Sequence, residues 1–240
     1  MRRLGIIQPG KIGDIIICLP IAKWYADKGY EVIWPVDKNI INNFIGYVKY
    51  VNFVPIDFNS MQAQQVCYNL NCNTVIDLSF STPNAGHYNT ENFFNQDTYS
   101  FDEFKYLIAD VPFTQKWCLE IERNTTNEDE LYNQLVKADQ YVVITTKTSD
   151  GNRDDVKYGG PLQSIDIKPT TTSVFDWLKI LENSTDQIIV DSCFINLIEQ
   201  LNIPCKGERF LLLRHGYYLT KLKDGYLKGK PRIKMNWKEI

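Results

Sequence analysis

Short apolar runs alternate along the chain with stretches of helical spacing. Leu4–Gln8 is apolar and stops at Pro9-Gly10, the pattern of a strand buried on both faces of a parallel sheet. Ile15–Lys28 follows with helical periodicity and ends at Gly29, a residue suited to the left-handed position after a helix. Pro20 within it predicts a kink or marks the first turns. Tyr30–Pro35, Val51–Ile56 and Thr74–Leu78 read as further strands, with a helix over Met61–Leu70 between the last two. Residues 79–100, rich in Asn, Ser, Thr and Gly, read as a long loop at the carboxyl edge of that sheet, where long loops tend to carry function. Phe101–Ala109 is predicted as a short aromatic helix halted by Pro112.

The polar stretch Glu122–Glu130 predicts a boundary, after which the rhythm resumes. Tyr141–Thr145 reads as a strand, Thr146–Gly160 as a polar loop and Ser164–Ile167 as a short strand. Ser173-Val-Phe-Asp176 has capping-box spacing and opens a helix to about Glu182. Strand Ile188–Val190, helix Phe194–Leu201 and strand Phe210–Leu213 complete the pattern. Strand and helix in this alternation predict an α/β fold with doubly wound parallel sheets. The expected division is a Rossmann-like unit over 1–125, a smaller one over 126–216 and a C-terminal segment over 217–240. No internal repeat interrupts this reading.

With 44% apolar residues, the 240-residue chain has ample material for a core, which excludes global disorder. No apolar run is long enough to span a membrane. The opening Met-Arg-Arg and apolar run would resemble a signal peptide, but Gly10, Lys11, Gly13 and Asp14 break it. The six cysteines (Cys18, Cys67, Cys72, Cys118, Cys193, Cys205) show no metal-ligand spacing and read as reduced, mostly buried thiols of a cytoplasmic protein. Charge is uneven. From Arg209 to Ile240 nine lysines and arginines oppose two acids, a balance of +7, so the rest of this −3 chain carries −10. Such a tail suits phosphate, nucleic acid or simple solvation against an acidic body. His87 and His215 are the only histidines, which disfavours His-centred catalysis.

Four segments have candidate chemistry. The loop Gln8–Asp14 places Gly10 and Gly13 between a strand and a helix, where backbone N–H groups attract anions. It lacks the third glycine of a dinucleotide site, and Asp14 would repel a pyrophosphate there. Asp37 could imitate a ribose-binding acid, a weaker alternative. Asp14 fits a helix cap or a general base, with Lys11 supplying positive potential. Asp191-Ser192-Cys193 follows a strand and opens a helix, so its N–H groups could hold a diphosphate or form an ordinary turn. Thr145, Thr146 and Lys147 offer hydroxyls and an ammonium after a strand. In the tail, Tyr217, Tyr218, Tyr226 and Trp237 interleave with Lys221, Lys223, Lys228, Lys230, Arg232 and Lys234. That mixture suits single-stranded nucleic acid, or a segment packing back across a cleft.

Taken in order, these segments resemble the heptosyltransferase-like glycosyltransferases of family 9, which have the GT-B fold. The likeness rests on LGIIQPGKIGDIIICLPIAKWYADKGYEVIWPV with its Gly-x-x-Gly-Asp loop, on VKYVNFVPID and NTVIDLSFS, and on SIDIKPTTTSVFDWLKILENSTDQIIVDSCFINLIEQLNIPC in the second half. The resemblance implies a GT-B-like pair of Rossmann-like domains, the C-terminal one reduced. It implies inverting, metal-independent transfer from a nucleotide-sugar to an acceptor hydroxyl, with no cofactor. Asp14 matches the catalytic base, with Gly10, Lys11 and Gly13 on the acceptor side. Asp191, Ser192 and Asn196 match the donor helix, and Thr145, Thr146 and Lys147 the donor phosphate loop. Gln8 stands where the family has Arg, Cys193 where it has Gly, and Asn196 where it has His. Two further readings stay open: a nucleotide-sugar-binding protein without catalysis, and a viral glycosyltransferase acting on nucleic acid.

Overall fold

The computed structural model describes residues 2–57, 60–78, 100–148, 151–152, 156–213, 222–223 and 231–240. His87, His215, Lys221, Lys228, Lys230, Tyr217, Tyr218 and Tyr226, and all but the last residue of the expected loop 79–100, lie outside them.

The first sheet is built from β1 (Arg2–Ile7), β2 (Tyr30–Asp37), β3 (Asn52–Ile56) and β4 (Thr74–Asp77), all parallel, in the order β3-β2-β1-β4. The connecting helices are α1 (Ile12–Asp27) and α2 (Ser60–Asn69). Gly29, at φ 81°, ends α1 in the left-handed region, where a side chain would be strained. Gly5 is needed for a different reason: a Cβ there would stand 2.6 Å from the Cys67 sulfur, so only glycine lets α2 lie this close to β1.

After α3 (Phe101–Ile108) and α4 (Thr125–Leu135) comes a second sheet, of β5 (Tyr141–Thr145), β8 (Gln163–Asp166), β9 (Asp186–Val190), β10 (Arg209–Leu212) and β11 (Lys238–Glu239). Its order is β11-β10-β9-β5-β8, again parallel throughout. β6 (Lys147–Thr148) and β7 (Gly151–Asn152) form a small antiparallel hairpin, and α5 (Leu178–Asn183) and α6 (Cys193–Leu201) complete the elements.

Four local expectations need correction. α1 begins at Ile12, three residues early, because the Lys11 carbonyl already accepts from the Asp14 and Ile15 N–H groups; it then runs through Pro20. The polar stretch 122–130 is not all loop: it contains the start of α4, which Asn124 caps by accepting from the Asn127 N–H. Ser173 does cap, accepting from the Phe175 N–H, but it opens a 3₁₀ turn, Val174–Trp177, before α5. Its supposed capping-box partner Asp176 instead binds the Tyr47 hydroxyl, across the molecule. Finally, only Cys18 and Cys67 are buried, while Cys118 is exposed.

One hydrophobic cluster runs through both halves, from Leu4 and Trp34 to Phe175, Leu197 and Trp237. Trp34, Phe53, Phe44 and Phe175 form a chain of ring contacts from β2 into the 3₁₀ turn of the second half. Around it the seam is polar and satisfied. Ser173 Oγ donates to the Asn43 carbonyl and the Val174 N–H donates to Asn43 Oδ1. Burial and the Asp176 carboxylate push the Tyr47 phenol up to about 12. No helix among the described residues is long and apolar enough to cross a membrane.

Candidate functional site

In an open parallel sheet, a crevice forms at the carboxyl edge where successive connections leave a strand in opposite directions. In the first sheet β1 is flanked by β2 and β4, so this point lies past Ile7 and Asp77. In the second, β5 is flanked by β8 and β9, so it lies past Thr145 and Val190. The candidate residues occupy these two places. Gln8–Asp14 leaves β1; Thr145–Lys147 leaves β5; Asp191–Cys193 leaves β9.

The two edges meet. A Cβ on Gly13 would lie 3.6 Å from the Cα of Cys193 and 3.7 Å from its backbone nitrogen, so the first turn of α1 touches the first residue of α6. Asp14 is the third residue of α1, partly exposed, and the Lys11 N-cap position carries no side-chain cap. Asp14 therefore does not occupy the N-cap position but lies in the first turn of α1. Gly10 is buried and Lys11 exposed beside it. Ser192 does cap: its hydroxyl accepts from the Phe194 N–H at 3.4 Å. Asp191 and Asn196 are buried with it. Thr145 is buried, Thr146 partly exposed and Lys147 exposed at the start of the hairpin. Asp37 borders this group, its N–H donating to the Pro9 carbonyl at 3.1 Å, but its carboxylate is turned to the Asn39 backbone and side-chain N–H groups in a local turn.

Gln8 is buried at the carboxyl ends of β1 and β4. Its Nε2 donates to the Leu78 carbonyl at 2.9 Å, and its own carbonyl accepts from Trp34 Nε1. The Leu78 carbonyl also accepts from Lys105 Nζ, a fully buried ammonium absent from the expected site. Burial lowers the Lys105 pKa, opposed by Coulombic interaction with Cys18, Asp14, Asp77 and Asp102. The sequence does hold a trace of it: Lys105 lies with Asp102 and Tyr106 on α3 at helical spacing, all three buried.

The C-terminal segment reaches the same region. Arg232 Nε donates to Asp102 Oδ1 at 3.1 Å, and its Nη2 lies 3.8 Å from Asp191 Oδ1. Lys116 Nζ donates to the other Asp102 oxygen and, at 2.6 Å, to the Arg232 carbonyl. Buried Asp102 would be raised by desolvation, but Arg232 and Lys116 outweigh it and hold the carboxyl below its ordinary value. Lys116 is lowered, by burial above all and by its neighbour Arg232 against the pull of Asp102. Glu199 anchors the segment further on, accepting from the Lys234 and Met235 N–H groups and from Trp237 Nε1. Trp237 and Arg232 therefore face inward and present no stacking surface for a nucleic acid. Among the described residues no cluster of three or more His, Cys, Asp or Glu is placed to hold a metal ion.

No family model matches the sequence, and no curated protein sequence matches it. Solved structures do match the fold. A family 9 glycosyl transferase from Veillonella parvula superposes with a TM-score of 0.65 at 11% identity, over 100% of this chain and 86% of that one. The E. coli heptosyltransferase WaaC with ADP-2-deoxy-2-fluoro heptose gives 0.50 at 13% identity, over 96% and 92%. The dodecameric iron-containing heptosyltransferase TibC, solved with ADP-D-beta-D-heptose, gives 0.58 at 13% identity, over 95% and 62%. At these identities the likeness is one of fold: two parallel Rossmann-like sheets, as in the family 9 glycosyl transferase structure.

Proposed function

We propose that the chain is a glycosyltransferase that moves a sugar from a nucleotide-sugar donor to an acceptor hydroxyl, with inversion and without a metal. The observation that carries this reading is the contact of Gly13 with Cys193, which sets a carboxylate-bearing helix start against a serine-capped one. Asp14 takes the proton of the acceptor hydroxyl as that oxygen attacks the anomeric carbon. The bond to the nucleoside diphosphate breaks on the opposite face, so a single displacement inverts the centre. The leaving diphosphate gathers negative charge. The N–H groups at the start of α6, the Asn196 amide and Lys147 are the groups offered to stabilise it. The Lys105 ammonium interacts electrostatically with Asp14, and a cation favours the ionised form that a base needs.

The solved neighbours with ADP-heptose ligands make ADP-sugars the first donors to try, with UDP-, GDP- and CMP-sugars beside them. A selective rise in melting temperature with one class identifies the donor. Asp14→Asn is then expected to lose transfer by a factor of about 10² or more while binding the donor nearly as wild type. A variant with near-wild-type turnover would remove Asp14 as the base. Donor binding by the wild type without turnover on any hydroxyl acceptor would favour a binding protein instead.

A further inference from the structure

The turn that ends α2 brings two thiols together. Asn71 takes the left-handed conformation, at φ 54°. Around it the Cys72 N–H donates to the Cys67 carbonyl at 3.0 Å, and the Asn71 N–H to the Tyr68 carbonyl at 2.9 Å. This pair of bonds folds a helix end back on itself, and it sets the side chain just past the turn against one in the last helical turn. Apolar side chains commonly fill those two places, but here both are free cysteines. Cys67 belongs to a small core with Ile7, Ile56 and Ala63, and Cys72 packs against it. A Cβ on Gly5 would stand 2.6 Å from the Cys67 sulfur and 3.4 Å from the Cys72 sulfur, so both sulfurs converge on one point of β1. The Cys67 thiol also hydrogen-bonds Cys72. Cysteines already in contact need little backbone movement to be bridged. We infer that Cys67 and Cys72 are a redox modification site, joined reversibly into a disulfide by exchange with a low-molecular-weight disulfide.

The two thiols have different parts. Cys72 is partly exposed and Cys67 is buried, so Cys72 meets the reagent first. Its thiolate attacks one sulfur of RSSR, whose S–S bond breaks and releases RS⁻. Cys67 then gives its proton to solvent and attacks the Cys72 sulfur of the mixed disulfide, expelling the second RS⁻. The pair loses two electrons and two protons, and the reagent takes both up as two RSH. Burial pushes the Cys67 thiol up to about 12 and raises Cys72 as well, against the pull of the Cys67 hydrogen bond and the Arg3 charge. The exchange is therefore slow near neutral pH, and its equilibrium is the property that the turn sets. Because the folded chain already holds the two side chains together, folding favours the bond. The stability of the first half then follows the thiol–disulfide poise of its surroundings.

The full chain is equilibrated in mixtures of oxidised and reduced glutathione, with and without denaturing urea. It is then quenched with acid, alkylated, and mapped by mass at the peptide holding both cysteines. The ratio of bridged to free pair is expected to be roughly tenfold or more higher in the folded chain than in the unfolded one. The bridged protein is expected to melt a few degrees above the reduced one. Exposed Cys118 serves as the reference, expected to carry only the mixed disulfide. In Cys67→Ala, Cys72 is expected to stop at the mixed disulfide, while in Cys72→Ala the buried Cys67 stays a thiol. A folded-to-unfolded ratio of one or below overturns the inference, because nearness in sequence alone would then account for the bond. So does a mixed disulfide that persists at Cys72 in wild type, or a link from either cysteine to another copy of the chain.

Discussion

At the scale of single residues, the site depends on charges placed where apolar side chains would pack. Lys105 is the clearest case, fully buried with its ammonium on the Leu78 carbonyl, which Gln8 also serves. Lys105→Met conserves the stem and leaves the Leu78 carbonyl with its Gln8 donor. It is expected to fold normally and to move the acid limb of the kcat/KM profile to higher pH, since Asp14 loses an interacting cation. An unmoved limb would assign Lys105 to structure alone. Asp102 behaves differently, because it is the carboxylate between two cations. Its folded pKa lies below the ordinary value, so its contribution is fully present above about pH 4 and is lost as pH falls through the lower folded value. Asp102→Asn should cost about 3–5 kcal/mol at neutral pH, by leaving Lys116 and Arg232 buried without it. The gap from wild type should close as pH drops below about 4, read from urea unfolding across pH. Such residues were only partly legible. Asp14, Asp191 and Ser192 stand at strand–helix junctions, which local patterning reveals. The Asp102–Arg232 pair spans 130 positions, and nothing local in either segment announces the other.

Among the elements, the longer strands were the most legible, because each is an apolar run closed by a turn residue. β5 matches its expected span in full and seven others lie within a few residues of theirs, whereas the two-residue strands β6, β7 and β11 have no apolar run and were not foreseen, the hairpin β6–β7 falling in the expected polar loop. α4 escaped for a physical reason: of its eleven residues only Glu128 and Leu131 are buried, so it has almost no apolar stripe to betray it. The 3₁₀ turn before α5 escaped because Asp176 is drawn to Tyr47 instead of the Ser173 backbone. The caps offer a comparison between structure and function. Ser100 caps α3 by accepting from the Glu103 N–H, as Ser192 caps α6 from Phe194. Ser100→Ala and Ser192→Ala should each cost about 1 kcal/mol of stability. Only Ser192→Ala should also weaken nucleotide binding, measured by titration. Equal effects of the two on binding would mean that the start of α6 is no more than a helix end.

Across the whole molecule, the two halves are fastened on two sides. Asn43 and Tyr47 hold the 3₁₀ turn on one side, and the Asp102–Arg232–Asp191 bridge joins the halves on the other. Two Rossmann-like sheets could be read from the strand rhythm, but their shared core could not, since it depends on rings as far apart as Phe44 and Phe175. β11 has a consequence of another kind, for how copies of the molecule treat one another. It pairs Lys238 with Phe210 and Glu239 with Leu211, and the Ile240 N–H donates to the Leu211 carbonyl. Without those residues β10 would present Arg209–Leu212 as an open ladder, an apolar template to which a second chain can add a strand. A chain ending at Trp237 keeps the Glu199 anchor and loses this cover together with the half-exposed Lys238–Glu208 ion pair. It is expected to keep its melting temperature nearly unchanged and yet self-associate with rising concentration, visible as growth in light scattering. If it stays as dispersed as the full chain, these terminal residues do not protect the sheet edge.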